Sequence, residues 1–89
     1  GARNISAENF VERMRDLENI ATSFKGIDKA YAISAGREVR VIVSPQTVDD
    51  LSAIKLARDI ANKVESTMQY PGTIKVNVIR ETRAVEFAK

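Results

Sequence analysis

The sequence predicts an α+β fold, built as a two-layer sandwich with two helices on one face of a mostly antiparallel sheet. Two kinds of hydrophobic periodicity predict it. Apolar residues recur every three to four positions in two segments, as in amphipathic helices, and alternate with polar residues in three others, as in strands. The order is α-β-β-α-β, with a further short strand possible. We expect the 89 residues to form one domain, 1–89.

The first predicted helix covers residues 7–24, whose apolar side chains share one face. Two strands follow, over 27–34 and 38–43. The short segment Ala35-Gly36-Arg37 separates them, and its glycine can adopt a positive φ. A turn this short predicts that the two strands pair antiparallel.

Alternation assigns each strand two faces. In 38–43 the three valines face one side, and Arg40 and Ile42 face the other. In 27–34, Tyr31 shares a face with the two isoleucines, which we expect to pack with the valines against the helices. That assignment leaves Ala30 and Ala32 on the uncovered face.

The second half of the chain predicts a helix over 48–68 and a strand over 73–80, followed by a tail or short strand over 84–89. A β-α-β crossover is formed by the second strand, the second helix and the third strand. The first strand can therefore lie between the second and third strands. This is the split β-α-β arrangement of ferredoxin-like layers.

Composition excludes several kinds of chemistry. The chain has no Cys and no His, which rules out disulfides, thiol catalysis, a Ser-His-Asp triad and His-ligated metal. We therefore expect no catalytic residue, no metal ligand and no cofactor in this chain. The net charge is only +2, and the excess lies in residues 73–89. No apolar run approaches the roughly 20 residues of a membrane span, so we expect no membrane contact.

The uncovered sheet face is the best candidate binding surface. It is predicted to carry Ala30, Ala32, Arg40, Ile42, Lys75, Asn77 and Ile79. Such a face can be solvated, can pair with a second copy, or can bind nucleic acid. By this assignment it lacks a stacking aromatic. If the first strand is inverted, however, Tyr31 joins Lys29, Arg40 and Lys75 on that face, and the RNA interpretation gains support.

A set of cations offers possible phosphate contacts, although arginines beside glutamates more often form surface ion pairs. The candidate RNA-contact residues are Arg37, Arg40, Lys75, Arg80 and Arg83.

Three segments carry a resemblance to a known family. They are Ala35-Gly36-Arg37-Glu38-Val39-Arg40, Leu56-Ala57-Arg58-Asp59-Ile60-Ala61 and, above all, the stretch from Pro71 to Lys89 that ends in Thr82-Arg83-Ala84-Val85-Glu86-Phe87-Ala88-Lys89. In order and spacing these segments resemble the extreme C-terminus of bacterial ribonuclease Y, and the similarity covers nearly the whole chain from Leu17.

The resemblance implies a parent that is a hydrolase, an endoribonuclease initiating bacterial mRNA decay. The family has an N-terminal membrane helix, a coiled coil, a KH RNA-binding domain, an HD domain that binds divalent metal, and a C-terminal domain. This chain resembles only the last of these. Because it has no His, none of the HD metal site can be carried over.

We therefore expect a non-catalytic accessory domain on the cytoplasmic side of the membrane, attached to a parent anchored through a helix absent here. Its expected role is self-association or docking of other RNA-decay proteins, alongside contact with the rest of ribonuclease Y. One alternative is an auxiliary RNA-binding surface. A second is a small-molecule sensor like ACT domains, an analogy that rests on ferredoxin-like layers alone.

Overall fold

The computed structural model describes residues 2–68 and 72–89, with the side chains of the first helix described from residue 11 onward. The elements are α1 (Ala2–Thr22), β1 (Ile27–Ile33), β2 (Glu38–Val43), α2 (Asp50–Thr67) and β3 (Lys75–Arg80). A 3₁₀ turn (Ser34–Gly36) joins β1 to β2. The predicted α+β class and the order α-β-β-α-β are confirmed. Among the described helices, none combines the length and apolarity needed to span a bilayer.

The strand order differs from the prediction. β2 lies in the centre, with β1 antiparallel on one side and β3 parallel on the other. The split arrangement with the first strand central is therefore wrong, and the sheet is mixed rather than mostly antiparallel. Most of β2 is buried, as expected of a strand with neighbours on both sides. β1 exposes Asp28 and Lys29, which suit an edge strand. The ACT-like analogy loses the ferredoxin-like order on which it rested.

The two faces of β1 are also opposite to the prediction. Ala30 is paired with Val41, and Ala32 with Val39, while Tyr31 is paired with Arg40. Directly opposed residues share a face of the sheet. Ala30 and Ala32 therefore face the helices, and Tyr31 lies on the uncovered face.

The cause is an irregularity in the pairing of β1 with β2, which shifts between Ile27 and Lys29. An extra residue in one strand reverses the alternation beyond it. Ile27 packs against the core, but the residues from Lys29 onward are turned by one position. A simple period of two, extended from Ile27 through Tyr31 to Ile33, therefore assigns the wrong face to every residue after the bulge.

Both helices pack on the same face of the sheet, where they enclose the core. The largest fully buried side chains are Leu17 from α1, Ile60 from α2, and Val39, Val41 and Val43 from β2. The two helices thus pack against the central strand. The predicted alternation of β2, with its valines toward the helices, is confirmed.

Element boundaries moved by a few residues, each for a local reason. α1 begins at Ala2 rather than near residue 7 and ends at Thr22. α2 begins at Asp50 because the Asp49 carboxylate accepts a hydrogen bond from the backbone N–H of Ser52 at 2.8 Å, which makes Asp49 the N-cap. Residues 81–89, called the tail below, follow β3 and contain no strand, so the tail alternative for 84–89 is the one found.

Candidate functional site

The face of the sheet turned away from the helices is called the open face. The register places on it three residues from each strand, which alternate with the core residues. They are Lys29, Tyr31 and Ile33 from β1, Glu38, Arg40 and Ile42 from β2, and Lys75, Asn77 and Ile79 from β3. The open face thus combines one aromatic ring, three cations, one carboxylate, an amide and three isoleucines.

A hydrogen-bonded cluster occupies the middle of the open face, with Glu38 as its acceptor. Arg40 Nε donates to Glu38 Oε2 at 3.2 Å, and Asn77 Nδ2 donates to the same oxygen at 3.4 Å. The Glu38 side chain is only 13% exposed. The pKa of Glu38 is held below its usual range, chiefly by the hydrogen bond from Arg40. The hydrogen bond from Asn77 and the nearby charge of Lys75 lower it further. Glu38 therefore stays ionised and fixes the two donors in place.

Tyr31 lies beside this cluster. Its side chain shares the open face with that of Arg40, which lies directly opposite it across β1 and β2. The hydrogen bond with the Glu38 carboxylate and, after it, the neighbouring Tyr31 side chain raise the pKa of Arg40, so the guanidinium stays charged. The ring is half-buried. The arrangement holds an aromatic ring and a planar guanidinium side by side on an accessible sheet.

Two lysines flank this cluster at opposite ends. Lys75 begins β3 beside Glu38, and Lys29 lies beside Ile42 near the far end of β2. Both are exposed, and among the described residues neither forms an ion pair. They remain available to an anionic partner.

A shallow depression of about 190 Å³ lies at the Lys29 end of the open face, lined by Asp28, Lys29, Ile42, Glu81 and Arg83. The first residues of the tail border it, and Arg83 Nη2 donates to Glu81 Oε2 at 2.9 Å. Ile42 is only 7% exposed although it points away from the helices. The depression therefore brings a predicted RNA-contact residue, Arg83, next to Lys29.

Arg80 lies elsewhere, although it was predicted as an RNA contact. Its guanidinium donates to the carbonyl of Val48 at 2.8 Å and to that of Pro45 at 3.4 Å, and it pairs with the Asp50 carboxylate. These partners lie in the segment that leads into α2, because Arg80 is paired with Val43 and so points to the helix side. Arg80 clamps the end of β3 to the start of α2.

The remaining predicted residues divide as follows. The structure brings Arg40, Ile42, Lys75, Asn77 and Ile79 together on the open face. It moves Ala30 and Ala32 to the helix side, and Ala32 is 7% exposed. Arg37 is exposed in the turn before β2.

Tyr31 and Lys29 were missing from the favoured assignment of the predicted face, but the alternative with the first strand inverted placed both of them there, as the structure does. The signal that could have placed them is the pair of consecutive charged residues Asp28-Lys29, which interrupts the alternation directly after Ile27. The described residues contain no group of acidic side chains arranged to hold a metal ion.

Comparison with known proteins finds relatives that are similar to the whole of this chain. The chain is 58% identical over all 89 residues to "Ribonuclease Y" of Dehalococcoides mccartyi strain CBDB1 and of Listeria monocytogenes serotype 1/2a strain 10403S. It is 55% identical over its whole length to "Ribonuclease Y" of Staphylococcus epidermidis strain ATCC 12228. Over its whole length the chain is therefore similar to a C-terminal fragment of proteins named ribonuclease Y.

The expected resemblance to ribonuclease Y is therefore confirmed. The chain spans 17% of the length of each of these ribonuclease Y relatives. No family model matches the chain, and no solved structure matches it.

Proposed function

We propose that this chain is a non-catalytic accessory domain of ribonuclease Y, and that its open face binds single-stranded RNA. In this role it would help to hold the transcript that the rest of the enzyme cleaves. The observation that carries the proposal is the position of Tyr31 beside Arg40, with Lys29 and Lys75 on either side, neither of them in an ion pair among the described residues.

The geometry fits the chemistry of single-stranded RNA. Proteins bind unpaired RNA by stacking bases on aromatic rings or on arginine guanidinium planes, while cations contact the phosphates. Tyr31 and Arg40 offer a ring and a guanidinium on the same sheet face, and Glu38 fixes the orientation of Arg40. β2 spans roughly 20 Å at 3.3 Å per residue, enough for a sheet to stack two or three bases.

The charge of the open face predicts modest, salt-dependent binding. If Lys29, Arg40 and Lys75 each contact one phosphate, the slope of log affinity against log salt is about −2, since each contact with a single strand contributes about −0.7. Raising salt from about 50 mM to about 200 mM should then weaken binding roughly 20-fold. Because Glu38 partly neutralises Arg40, the two lysines should dominate this slope.

The test is a titration of the chain with a fluorescent single-stranded RNA at several salt concentrations. Lys75→Ala should lower the magnitude of the salt slope by about 0.7 and weaken binding for every RNA sequence. Lys63→Ala is the matched control, because Lys63 is an exposed lysine on α2 in the helix layer. The proposal is wrong if Lys63→Ala weakens binding as much as Lys75→Ala.

Tyr31 gives a second readout that does not depend on charge. Tyr31→Leu should weaken binding by roughly 5- to 150-fold, the range for losing one stacked base. Tyr31→Phe removes only the hydroxyl and keeps the ring, so it should stay near the parent affinity. Equal binding by the parent and by Tyr31→Leu would show that no base stacks there.

Self-association or docking of another protein is the second candidate function. As predicted from the sequence it relied on exposed alanines and two isoleucines on the open face. Ile42 and Ile79 do lie there, but the alanines face the helices instead. A different feature supports it, namely the apolar residues of the tail.

A further inference from the structure

The tail carries two large apolar side chains that nothing in the described structure covers. Val85 is 62% exposed and Phe87 is 81% exposed. All nine residues from 81 to 89 are exposed. Val85 and Phe87 are two positions apart, so in an extended segment they point the same way. Such a segment has the pattern of a strand that needs a sheet edge to cover it.

The outer edge of β3 offers such a position. The backbone N–H of Lys75 donates to Arg37 O at 2.8 Å and that of Glu81 donates to Val43 O at 2.9 Å. In a parallel pair alternate residues bond to the neighbour, so the amides of Val76 and Val78 point to the outer edge. By contrast, the outer edge of β1 is partly covered, because the Ala32 N–H donates to the Glu18 carboxylate of α1 at 2.9 Å.

An apolar groove of about 450 Å³ lies next to this edge, between the end of α2 and the start of β3. Its apolar lining comes from both elements: Ala61, Val64, Met68, Ile74 and Val76. A strand added to β3 would place every second side chain over this groove and the others on the open face.

The tail would fill this groove poorly from its own chain. It leaves β3 at Arg80, whereas the groove lies toward the start of that strand. A two-residue hairpin turn at Thr82-Arg83 would place Phe87 beside Val78, about 7 Å from Val76 at the near end of the groove and about 13 Å from Ile74. Thr and Arg are also poor residues for such a turn, which favours Gly, Asn or Asp.

We propose that the tail of one chain docks along β3 of a second copy of this chain, with Val85 and Phe87 over the groove. Two copies related by a two-fold axis would exchange tails, each contributing a fourth strand to the other's sheet. With Val85 and Phe87 facing the groove, Glu86 points to the open face beside Lys75, so the charges are complementary. This proposal concerns the β3 edge and does not require RNA binding, although Glu86 of a docked tail would compete with a phosphate for Lys75.

Sedimentation across concentration, from micromolar to hundreds of micromolar, provides the first test. The parent chain should form a dimer as concentration rises, and Phe87→Ser should remain a monomer. Leu51→Ser is the matched control, since Leu51 is also apolar and 78% exposed but lies on α2; it should dimerise like the parent. A parent chain that stays monomeric throughout, or a Phe87→Ser variant as dimeric as the parent, would overturn the proposal.

Cross-linking tests the position of the tail. Because the chain has no Cys, the variants Phe87→Cys and Thr73→Cys each carry a single thiol, and Thr73 lines the groove. Mixing them under mild oxidation should give a mixed disulfide dimer. Leu51→Cys mixed with Thr73→Cys should not. If the double variant Thr73→Cys/Phe87→Cys instead closes a disulfide within one chain at high concentration, the tail folds back on itself and exchange is refuted.

Discussion

Replacing Arg80 tests whether this residue is a structural clamp or a nucleic-acid contact. We choose Arg80→Met because methionine keeps an unbranched stem while removing the guanidinium. The lost interactions are those with the carbonyls of Val48 and Pro45 and with the Asp50 carboxylate. If the clamp is real, the variant should lose stability while RNA affinity of the folded protein stays unchanged.

The magnitude follows from the contacts. The charged donor at 2.8 Å from Val48 O contributes about 1.5 kcal/mol, a typical value for a hydrogen bond with one charged partner. The Asp50 side chain is 83% exposed, so that pair adds less than about 1 kcal/mol. The bond to Pro45 at 3.4 Å is long and adds little. Arg80→Met should therefore lower the free energy of unfolding by about 2 kcal/mol.

Urea unfolding followed by far-ultraviolet circular dichroism measures this loss. At a slope of about 1 kcal/mol per molar urea, the midpoint should fall by about 2 M. Arg83→Met is the control, because Arg83 is 59% exposed and bonds only to Glu81 among the described residues; its midpoint should shift by less than about 0.5 M. Equal shifts for the two variants would refute the clamp.

Two further predictions concern two glycines with positive φ and the N-cap of α2. Gly26 and Gly72 both have positive φ, so alanine at either costs about 1–2 kcal/mol. A Cβ at Gly26 would lie 3.3 Å from Val48 Cγ2, whereas one at Gly72 meets nothing within 4 Å. Gly26→Ala should therefore lower the urea midpoint more than Gly72→Ala, and equal shifts would contradict this. The Ser52 N–H lowers the pKa of the Asp49 carboxyl, so its contribution is present above the unfolded pKa and is lost as pH falls through the folded pKa. Asp49→Asn keeps a capping oxygen but does not titrate, so it should lose less stability than the parent between about pH 5 and about pH 3; identical pH profiles would count against this role.

The sequence determined element types well because each element has a strong internal period. The spacing of apolar residues identified α2, and the alternation of β2 identified both a strand and its core face. Order within the sheet is a different kind of information. It depends on which strands pair after the chain has crossed the helix layer. The periodicity of one strand does not indicate which strands will be its neighbours. The apolar run Val41-Ile42-Val43 was the available sign in the sequence that β2 is buried on both faces and lies centrally.

The composition of the candidate site depends on one β-bulge at the start of β1, which simple alternation of faces does not predict. A strand with a period of two assigns Tyr31 to the same face as Ile27, and one extra residue at Asp28 reverses that assignment. The reversal exchanges two small side chains for an aromatic ring and a lysine on the open face. A surface that would have suited close packing of two sheets therefore becomes one suited to stacking and phosphate contact. Self-association must then use another surface, and the uncovered apolar side chains of the tail point to the outer edge of β3.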